Sequence, residues 1–134
     1  MKFYSPKLKT PFPDGAKVIT STDGCHPVFA LEYLTGNFCL SHCNKEEKAA
    51  FSDTLHKLSK QTWRELKQRG KHKGGCEIMP CKQMKFHIPA FFSNDADCIV
   101  FRFSGKKAMI GFRKEQIYYI VGLDRNFTAY DHGS

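Results

Sequence analysis

The sequence predicts one α+β domain in which a long helix packs on an antiparallel sheet that ends in a three-stranded meander. Its 134 residues fit the size of a single domain. Apolar side chains recur at steps of three and four over residues 45–69, which is typical of a helix. Short segments rich in β-branched and aromatic residues follow within residues 98–123, which is typical of strands joined by hairpins. We therefore expect a single domain over residues 1–134.

The N-terminal region is expected to be irregular. Residues 1–27 are rich in proline and lack periodicity, which is typical of an arm with turns. Residues 28–34 are expected to form a strand, and a turn at 35–37 would let residues 38–40 pair back as a second strand. The chain begins without the apolar run of a secretory signal and has no run long enough to cross a bilayer. We therefore expect a bacterial, cytoplasmic protein with no membrane partner.

The most secure element is the helix. Asn44 is a candidate N-cap, and Glu47 three residues later would complete a capping box. Gly70 is expected to end the helix, with a break near residues 59–62 as an alternative to one continuous helix. One face of this helix would be apolar, through Ala49, Phe51, Leu55, Leu58, Thr62 and Leu66.

The meander is expected to consist of strands at residues 98–103, 107–113 and 117–123. If both hairpin loops are of the common two-residue type, Phe101 lies opposite Ala108 and Phe112 lies opposite Tyr119. Directly opposed side chains share a face of the sheet. The face expected to meet the helix is then Ile99, Phe101, Phe103, Ala108, Ile110, Phe112, Ile117, Tyr119, Val121 and Leu123.

The opposite face would be basic and open. It would contain Cys98, Val100, Arg102, Lys107, Met109, Gly111, Arg113, Tyr118, Ile120 and Gly122. Arg102 would oppose Lys107, an unfavourable pair unless an anion binds between them. The two mid-strand glycines would let the backbone of a ligand come close. This face is a candidate surface for nucleic acid, and the alternative is a face that is solvated or covered by residues 1–27.

The charge of the chain favours a polyanionic partner. The formal net charge is +8 and the pI is about 9.2. Cations concentrate between Arg64 and Lys85, where Lys71 and Lys73 could line the rim of the basic face. A basic surface that is only solvated is the alternative.

Groups suited to acid–base chemistry follow the last strand. Tyr130 and His132 lie in residues 124–134, and Glu77 follows the helix; Arg125, in the same segment, is expected to bind nucleic acid together with Arg102, Lys107 and Arg113. A carboxylate can take a proton from an attacking hydroxyl, and a phenol or an imidazolium can give one to a leaving oxygen. Arginines such as Arg102 can stabilise the charge that grows on a phosphate. RNA supplies its own nucleophile, the 2′-hydroxyl, so such a site needs no metal.

Metal and disulfide chemistry are not expected. Six cysteines are present, and a reducing compartment favours free thiols. Neither Cys39 with Cys43 nor Cys76 with Cys81 has the short spacing common in zinc fingers and ribbons. We expect core thiols, no metal and no cofactor.

The order of these parts resembles the RelE/ParE superfamily of bacterial toxins. The resemblance runs from about Val28 to His132 and rests on Glu77 after the helix, on the stretches 101–103 and 110–113, and on the ending 123–132. RelE-type members are mostly ribosome-dependent mRNA endonucleases that an antitoxin inactivates. The resemblance implies that Glu77 is the general base, Arg102 and Arg113 bind phosphate, and Tyr130 or His132 is the acid.

Three functions are therefore weighed. The first is a toxin-like endoribonuclease, a hydrolase that cleaves mRNA by metal-independent 2′-hydroxyl attack, with action on the ribosome as one form and an antitoxin protein as a partner. The second is a non-catalytic RNA- or DNA-binding module that uses the same cations. The third is a protein-interaction domain from a mobile element. Only the first requires Glu77, Arg102, Arg113 and at least one of Tyr130 and His132 to line one cleft.

Overall fold

A computed structural model describes residues 21–69, 74–92 and 96–130. The expected α+β class is confirmed, and the Gly70 stop signal and residues 1–20 of the expected arm lie outside these ranges. The helices and strands, in chain order, are β1 (Val28–Ala30), α1 (Lys45–Ser59), α2 (Trp63–Gln68), β2 (Glu77–Pro80), β3 (Asp97–Ser104), β4 (Lys107–Lys114) and β5 (Ile117–Asp124). No helix within the described ranges is long and apolar enough to cross a membrane.

The sheet has five strands in the order β1-β5-β4-β3-β2. The expected meander forms its centre, and every strand end lies within a residue of the predicted position. β2 adds antiparallel to β3, and β1 adds parallel to β5, so the sheet is mixed. Three expectations are wrong here, the first being that the sheet is antiparallel throughout. The first strand stops at Ala30, and residues 36–38 and 40–42 form 3₁₀ turns because Gly36 adopts a φ of 68° and its carbonyl accepts from the Cys39 N–H.

The expected single helix over residues 45–69 is two helices. Asn44 caps α1 as predicted, because its side chain accepts from the Glu47 N–H at 2.8 Å and the Glu47 carboxylate accepts from the Asn44 N–H at 2.8 Å. Thr62 forms a second capping box with Glu65 and has extended backbone angles, so the chain cannot continue as one helix through it. The break falls where the alternative prediction put it.

The register between β3 and β4 differs from the prediction by one residue. Arg102 lies opposite Ala108, Phe101 lies opposite Met109, and the register shifts between Arg102 and Ser104. The tight loop lies at residues 105–106, and Phe103 is an extra residue between the pairs Ser104–Lys107 and Arg102–Ala108, so the rest of the pairing is shifted by a net one residue. A slip of one residue moves every side chain of a strand to the other face. The predicted grouping of Arg102 with Lys107 and Arg113 is therefore wrong.

A β-bulge changes the direction of side chains in β5. Ile110 lies opposite Gly122 while Gly111 lies opposite Ile120, so Val121 is an extra residue without a counterpart in β4. Before the bulge, Tyr118 and Ile120 face the helices. After it, Leu123 faces the helices and Asp124, opposite Ala108, faces away from them.

Both faces of the sheet are covered, so the predicted open basic face does not exist in this form. We call the side packed on α1 and α2 the helix face. Its core contains Phe51, Leu58, Trp63, Leu66, Phe101, Phe103, Met109, Tyr118, Ile120 and Leu123. We call the other side the tail face. It is covered by residues 33–38, 81–92 and 129–130, which pack on Cys98, Val100, Ala108, Ile110, Phe112 and Val121. The regular spacing of apolar residues predicts strands and helices, but irregular segments such as these have no such spacing and were therefore not predicted to cover the sheet.

The two mid-strand glycines make room for side chains, not for a ligand. A Cβ at Gly111 would lie 2.7 Å from Cζ of the buried Tyr118 ring and 2.4 Å from the Tyr119 carbonyl oxygen. A Cβ at Gly122 would lie 3.2 Å from the Phe86 ring and 3.3 Å from Phe38. The prediction that these glycines admit the backbone of a bound ligand is therefore wrong.

One carboxylate joins α1 to the sheet. Glu47 is only 3% exposed, and besides capping α1 it accepts from Lys107 Nζ at 2.6 Å and from Arg125 Nε at 3.1 Å. Hydrogen bonds from Lys107 and from the Asn44 backbone lower the pKa of Glu47 from 4.5 to about 2. Because this pKa is depressed by folding, the stabilisation is present above about pH 4.5 and is lost as the pH falls towards 2.

Replacing this carboxylate should destabilise the protein and flatten its acid unfolding. We expect Glu47→Gln to lower the free energy of unfolding at pH 7 by about 2–3 kcal/mol, because two charge-assisted hydrogen bonds weaken in a buried position. The loss should shrink between pH 4.5 and 2, where the native Glu47 becomes protonated. Urea unfolding at several pH values measures this. Glu46→Gln, an exposed change on the same turn, is the control, and equal losses in both variants would contradict the prediction.

Candidate functional site

Two residues expected to act on RNA share the tail face. Glu77 lies in β2 opposite Val100, and Arg102 lies two residues further along β3, so the side chains of Glu77, Val100 and Arg102 extend from the same side of the sheet. Glu77 and Arg102 are both half-exposed. The side chains of Glu77 and Arg102 are therefore open to solvent at this end of the sheet.

A third charged residue completes the row. Arg102, Ala108 and Asp124 lie directly opposite one another across β3, β4 and β5. The Asp124 side chain is fully buried, and its Oδ1 accepts from the backbone N–H groups of Thr128 at 2.8 Å and Ala129 at 3.2 Å. Because the bulge turns Asp124 to this face, its carboxylate folds the following residues back over the tail face.

Residues 125–130, which we call the tail, are held from a second side as well. The Ala129 carbonyl accepts from the Lys85 N–H at 2.6 Å. Phe127 has a φ of 60°, the left-handed conformation that reverses the chain. These contacts bury Tyr130 in the tail-face core, in the cluster that also contains Cys81 and Ala108.

The pKa of the Tyr130 phenol depends on its burial and on the charges of Glu77, Asp124 and Arg102. Burial raises the pKa of Tyr130, the negative charges of Glu77 and Asp124 raise it further, and the positive charge of Arg102 lowers it. The net shift is upward, so the phenol holds its proton at neutral pH. The side chains of Glu77, Arg102 and Asp124 extend from the tail face and Tyr130 packs on it, and we call these four residues the tail-face cluster.

The other predicted cations of the sheet lie on the helix face. Lys107 and Arg125 both pair with Glu47, as described above. Arg113 pairs with Asp23 at 2.8 Å, and its guanidinium lies 4.5 Å from the centre of the fully buried Trp63 ring. These three cations join the helices and the N-terminal segment to the sheet and do not meet Arg102.

Three predicted site residues lie outside the described residues: Lys71, Lys73 and His132. Sequence reasoning gave no role to Asp124, which turns out to hold the tail. An aspartate at the end of a strand followed by a short polar tail was the available signal, because Asp side chains commonly bond to backbone N–H groups a few residues ahead. Its direction could not be predicted, since that depends on the bulge.

Within the described residues no group of three or more His, Cys, Asp or Glu side chains is arranged to hold a metal ion. Comparison of the chain with family models, with curated proteins and with solved structures gave no match. The tail-face cluster is therefore interpreted from its own geometry and chemistry.

Removing the Asp124 carboxylate should release the tail. We expect Asp124→Ala to increase amide hydrogen exchange at Thr128 and Ala129, because both N–H groups lose their acceptor. Hydrogen exchange followed by NMR measures this residue by residue. Asp97→Ala, an exposed change at the start of β3, should leave both amides protected. Unchanged exchange in Asp124→Ala would contradict the role given to this carboxylate.

The coupling of Tyr130 to its neighbours can be titrated directly. We expect Glu77→Gln to lower the pKa of Tyr130, because a negative charge is removed, and Arg102→Gln to raise it. NMR of ¹³C-labelled tyrosine rings measures the titration, and the missing signal in Tyr130→Phe assigns it. Identical titration curves in both variants and the native protein would show that the charges are too far apart to interact.

Proposed function

We propose that this protein is a toxin-type endoribonuclease that cleaves mRNA by metal-independent attack of the 2′-hydroxyl. The observation that supports the proposal most is the meeting of Glu77, Arg102 and Tyr130 on one face, from β2, β3 and the tail. A base, a phosphate ligand and an acid are the three groups that this reaction requires. Their separation along the chain makes an accidental surface cluster a weaker explanation.

In the proposed reaction, the Glu77 carboxylate accepts the proton of the ribose 2′-hydroxyl as the 2′-oxygen attacks phosphorus. The P–O5′ bond breaks, and the leaving 5′-oxygen takes its proton from the Tyr130 phenol. The products are a 2′,3′-cyclic phosphate and a 5′-hydroxyl. The Tyr130 phenol is protonated before the step, and its raised pKa makes it a weaker proton donor than an ordinary tyrosine. Water then restores the proton of Tyr130 and removes the one on Glu77.

Arg102 is proposed to stabilise the charge on the non-bridging phosphate oxygens. Arg113, the second phosphate ligand that the family resemblance implies, pairs with Asp23 and is not part of this proposal. Lys82 and Lys85 are exposed on the segment that covers the tail face, and the backbone N–H of Lys85 bonds to Ala129 of the tail. They are the proposed contacts for neighbouring phosphates.

The biological setting follows from the family resemblance. A RelE-like toxin would act on mRNA at the ribosome and would be neutralised by an antitoxin. The ribosome and an antitoxin are therefore the proposed partners. His132 is proposed as an additional or alternative acid.

A protein-interaction domain is the second candidate. Large apolar side chains are exposed at both edges of the sheet, among them Ile78 at 57% and Val28 at 48%. The covered tail face also removes the wide basic surface on which a purely RNA-binding module would depend. This candidate needs neither Glu77 nor Tyr130.

The catalytic proposal is tested by cleavage of RNA with purified protein. We expect cyclic phosphate ends, activity that survives EDTA, and losses of about 10²–10⁴-fold in Glu77→Gln and Tyr130→Phe. Tyr119→Phe, which also removes one phenol oxygen from the tail face, should cleave like the native protein. Ribosomes programmed with mRNA should be included as substrate, and growth arrest on expression in bacteria, compared between native protein and Tyr130→Phe, gives a second measurement.

Native-like cleavage by folded Glu77→Gln and Tyr130→Phe proteins would contradict the roles proposed for these two residues. The interaction-domain candidate would replace the catalytic one if no cleavage occurred on free or ribosome-bound mRNA.

A further inference from the structure

A cleft on the tail face is not used by the proposed chemistry. It has a volume of about 520 Å³ and lies between the loop of residues 32–38 and residues 85–89, above Val121 of β5. This volume falls in the range of about 300–1,000 Å³ that is usual for sites that bind small molecules.

The walls of the cleft are aromatic. Tyr33, Phe38 and Phe86 line it, and the rings of Phe38 and Phe86 pack 5.0 Å apart. Tyr33 is held in place by ring contacts with Phe91, at 5.8 Å, and Phe92, at 5.5 Å. Aromatic side chains held in this way are the surfaces on which the bases of single-stranded nucleic acids stack.

The rim of the cleft is polar and carries both kinds of charge. Lys85 and His87 line one side, and Glu32 and Asn37 line the other. A carboxylate can only accept hydrogen bonds, whereas an amide both donates and accepts. Glu32 therefore favours a ring with an exocyclic amino group, and it disfavours a phosphate on its own side of the cleft.

The cleft adjoins the tail that carries Tyr130. Lys85 lines the cleft with its side chain, and its backbone N–H bonds to the carbonyl of Ala129, the residue before Tyr130. Phe38 also lines a second, smaller hollow with Arg125, Asn126 and Thr128 of the tail. A strand of RNA that passes the tail-face cluster can therefore continue past Lys85 towards the cleft.

We infer that this cleft binds one nucleobase of a single-stranded RNA, next to the phosphate that is cleaved. The base stacks among Tyr33, Phe38 and Phe86, and its exocyclic amino group donates to Glu32. The flanking phosphate lies on the side of Lys85. This inference rests on the proposed function and adds a base preference to it, namely cytosine, adenine or guanine over uracil.

The test uses binding without cleavage. A fluorescein-labelled oligonucleotide with 2′-O-methyl riboses cannot undergo 2′-hydroxyl attack, and anisotropy measures its affinity for the full chain. We expect Tyr33→Leu to weaken binding by about tenfold or more, in line with the loss of one stacked base, while Tyr33→Phe binds like the native protein. Oligocytidine should bind more tightly than oligouridine, and Glu32→Gln should reduce this difference.

An oligonucleotide without bases separates base recognition from charge attraction. If it binds as tightly as oligocytidine, or if no oligonucleotide binds, the inference is wrong. The same holds if Tyr33→Leu, shown by circular dichroism to be folded, binds unchanged. Should Tyr33→Leu fail to fold, loss of the oligocytidine preference in the exposed-site variant Glu32→Gln supports the inference, and its retention contradicts it.

The two proposals can fail separately. Base-dependent binding with no cleavage of any RNA would keep the cleft and reject the nuclease. Cleavage with base-independent binding would keep the nuclease and reject the base-binding cleft.

Discussion

The extra residue in β5 is the constraint on which the candidate site depends. Without the bulge at Val121, the alternation of side chains would turn Asp124 towards the helices. With it, the buried carboxylate faces the opposite side and binds the N–H groups of Thr128 and Ala129. The chain then reverses over the sheet and Tyr130 enters the tail-face core. A change of one residue in register thus determines whether Tyr130 packs on the face of the sheet that carries Arg102.

Because of the bulge and of the shifted register between β3 and β4, the cations of the sheet lie on two different faces. Lys107, Arg113 and Arg125 face the helices, where Glu47 and Asp23 neutralise them. These pairs join distant segments, and Glu47 combines this with the capping of α1. The positive charge of the chain is therefore partly structural, and its size alone is a poor guide to how many residues could bind RNA. The cations of the tail face are Arg102 of β3 and the exposed Lys82 and Lys85 on the segment that covers it.

The sequence predicted what local chemistry determines. Asn44 and Glu47 form the expected capping box, and the strands of the meander have nearly the expected bounds, because caps and alternation act over a few neighbouring residues. It failed where a single residue of register decides the result, so the predicted core mixed side chains from both faces. Irregular segments such as residues 81–92 have no period, and their packing on the tail face could not be foreseen. Glu77 and Arg102 extend from the tail face and Tyr130 packs on it, whereas Arg113, which was expected in the same cleft, lies on the helix face.

The central claim is that Glu77 and Tyr130 act in one chemical step at one site. It is tested most directly by the cleavage rates of Glu77→Gln, Tyr130→Phe and the double variant on the same RNA. Groups that act as a unit are strongly non-additive, so we expect the double variant to cleave at about the rate of the slower single variant. Rates that multiply as for independent groups, or a single variant that cleaves at the native rate, would contradict the account.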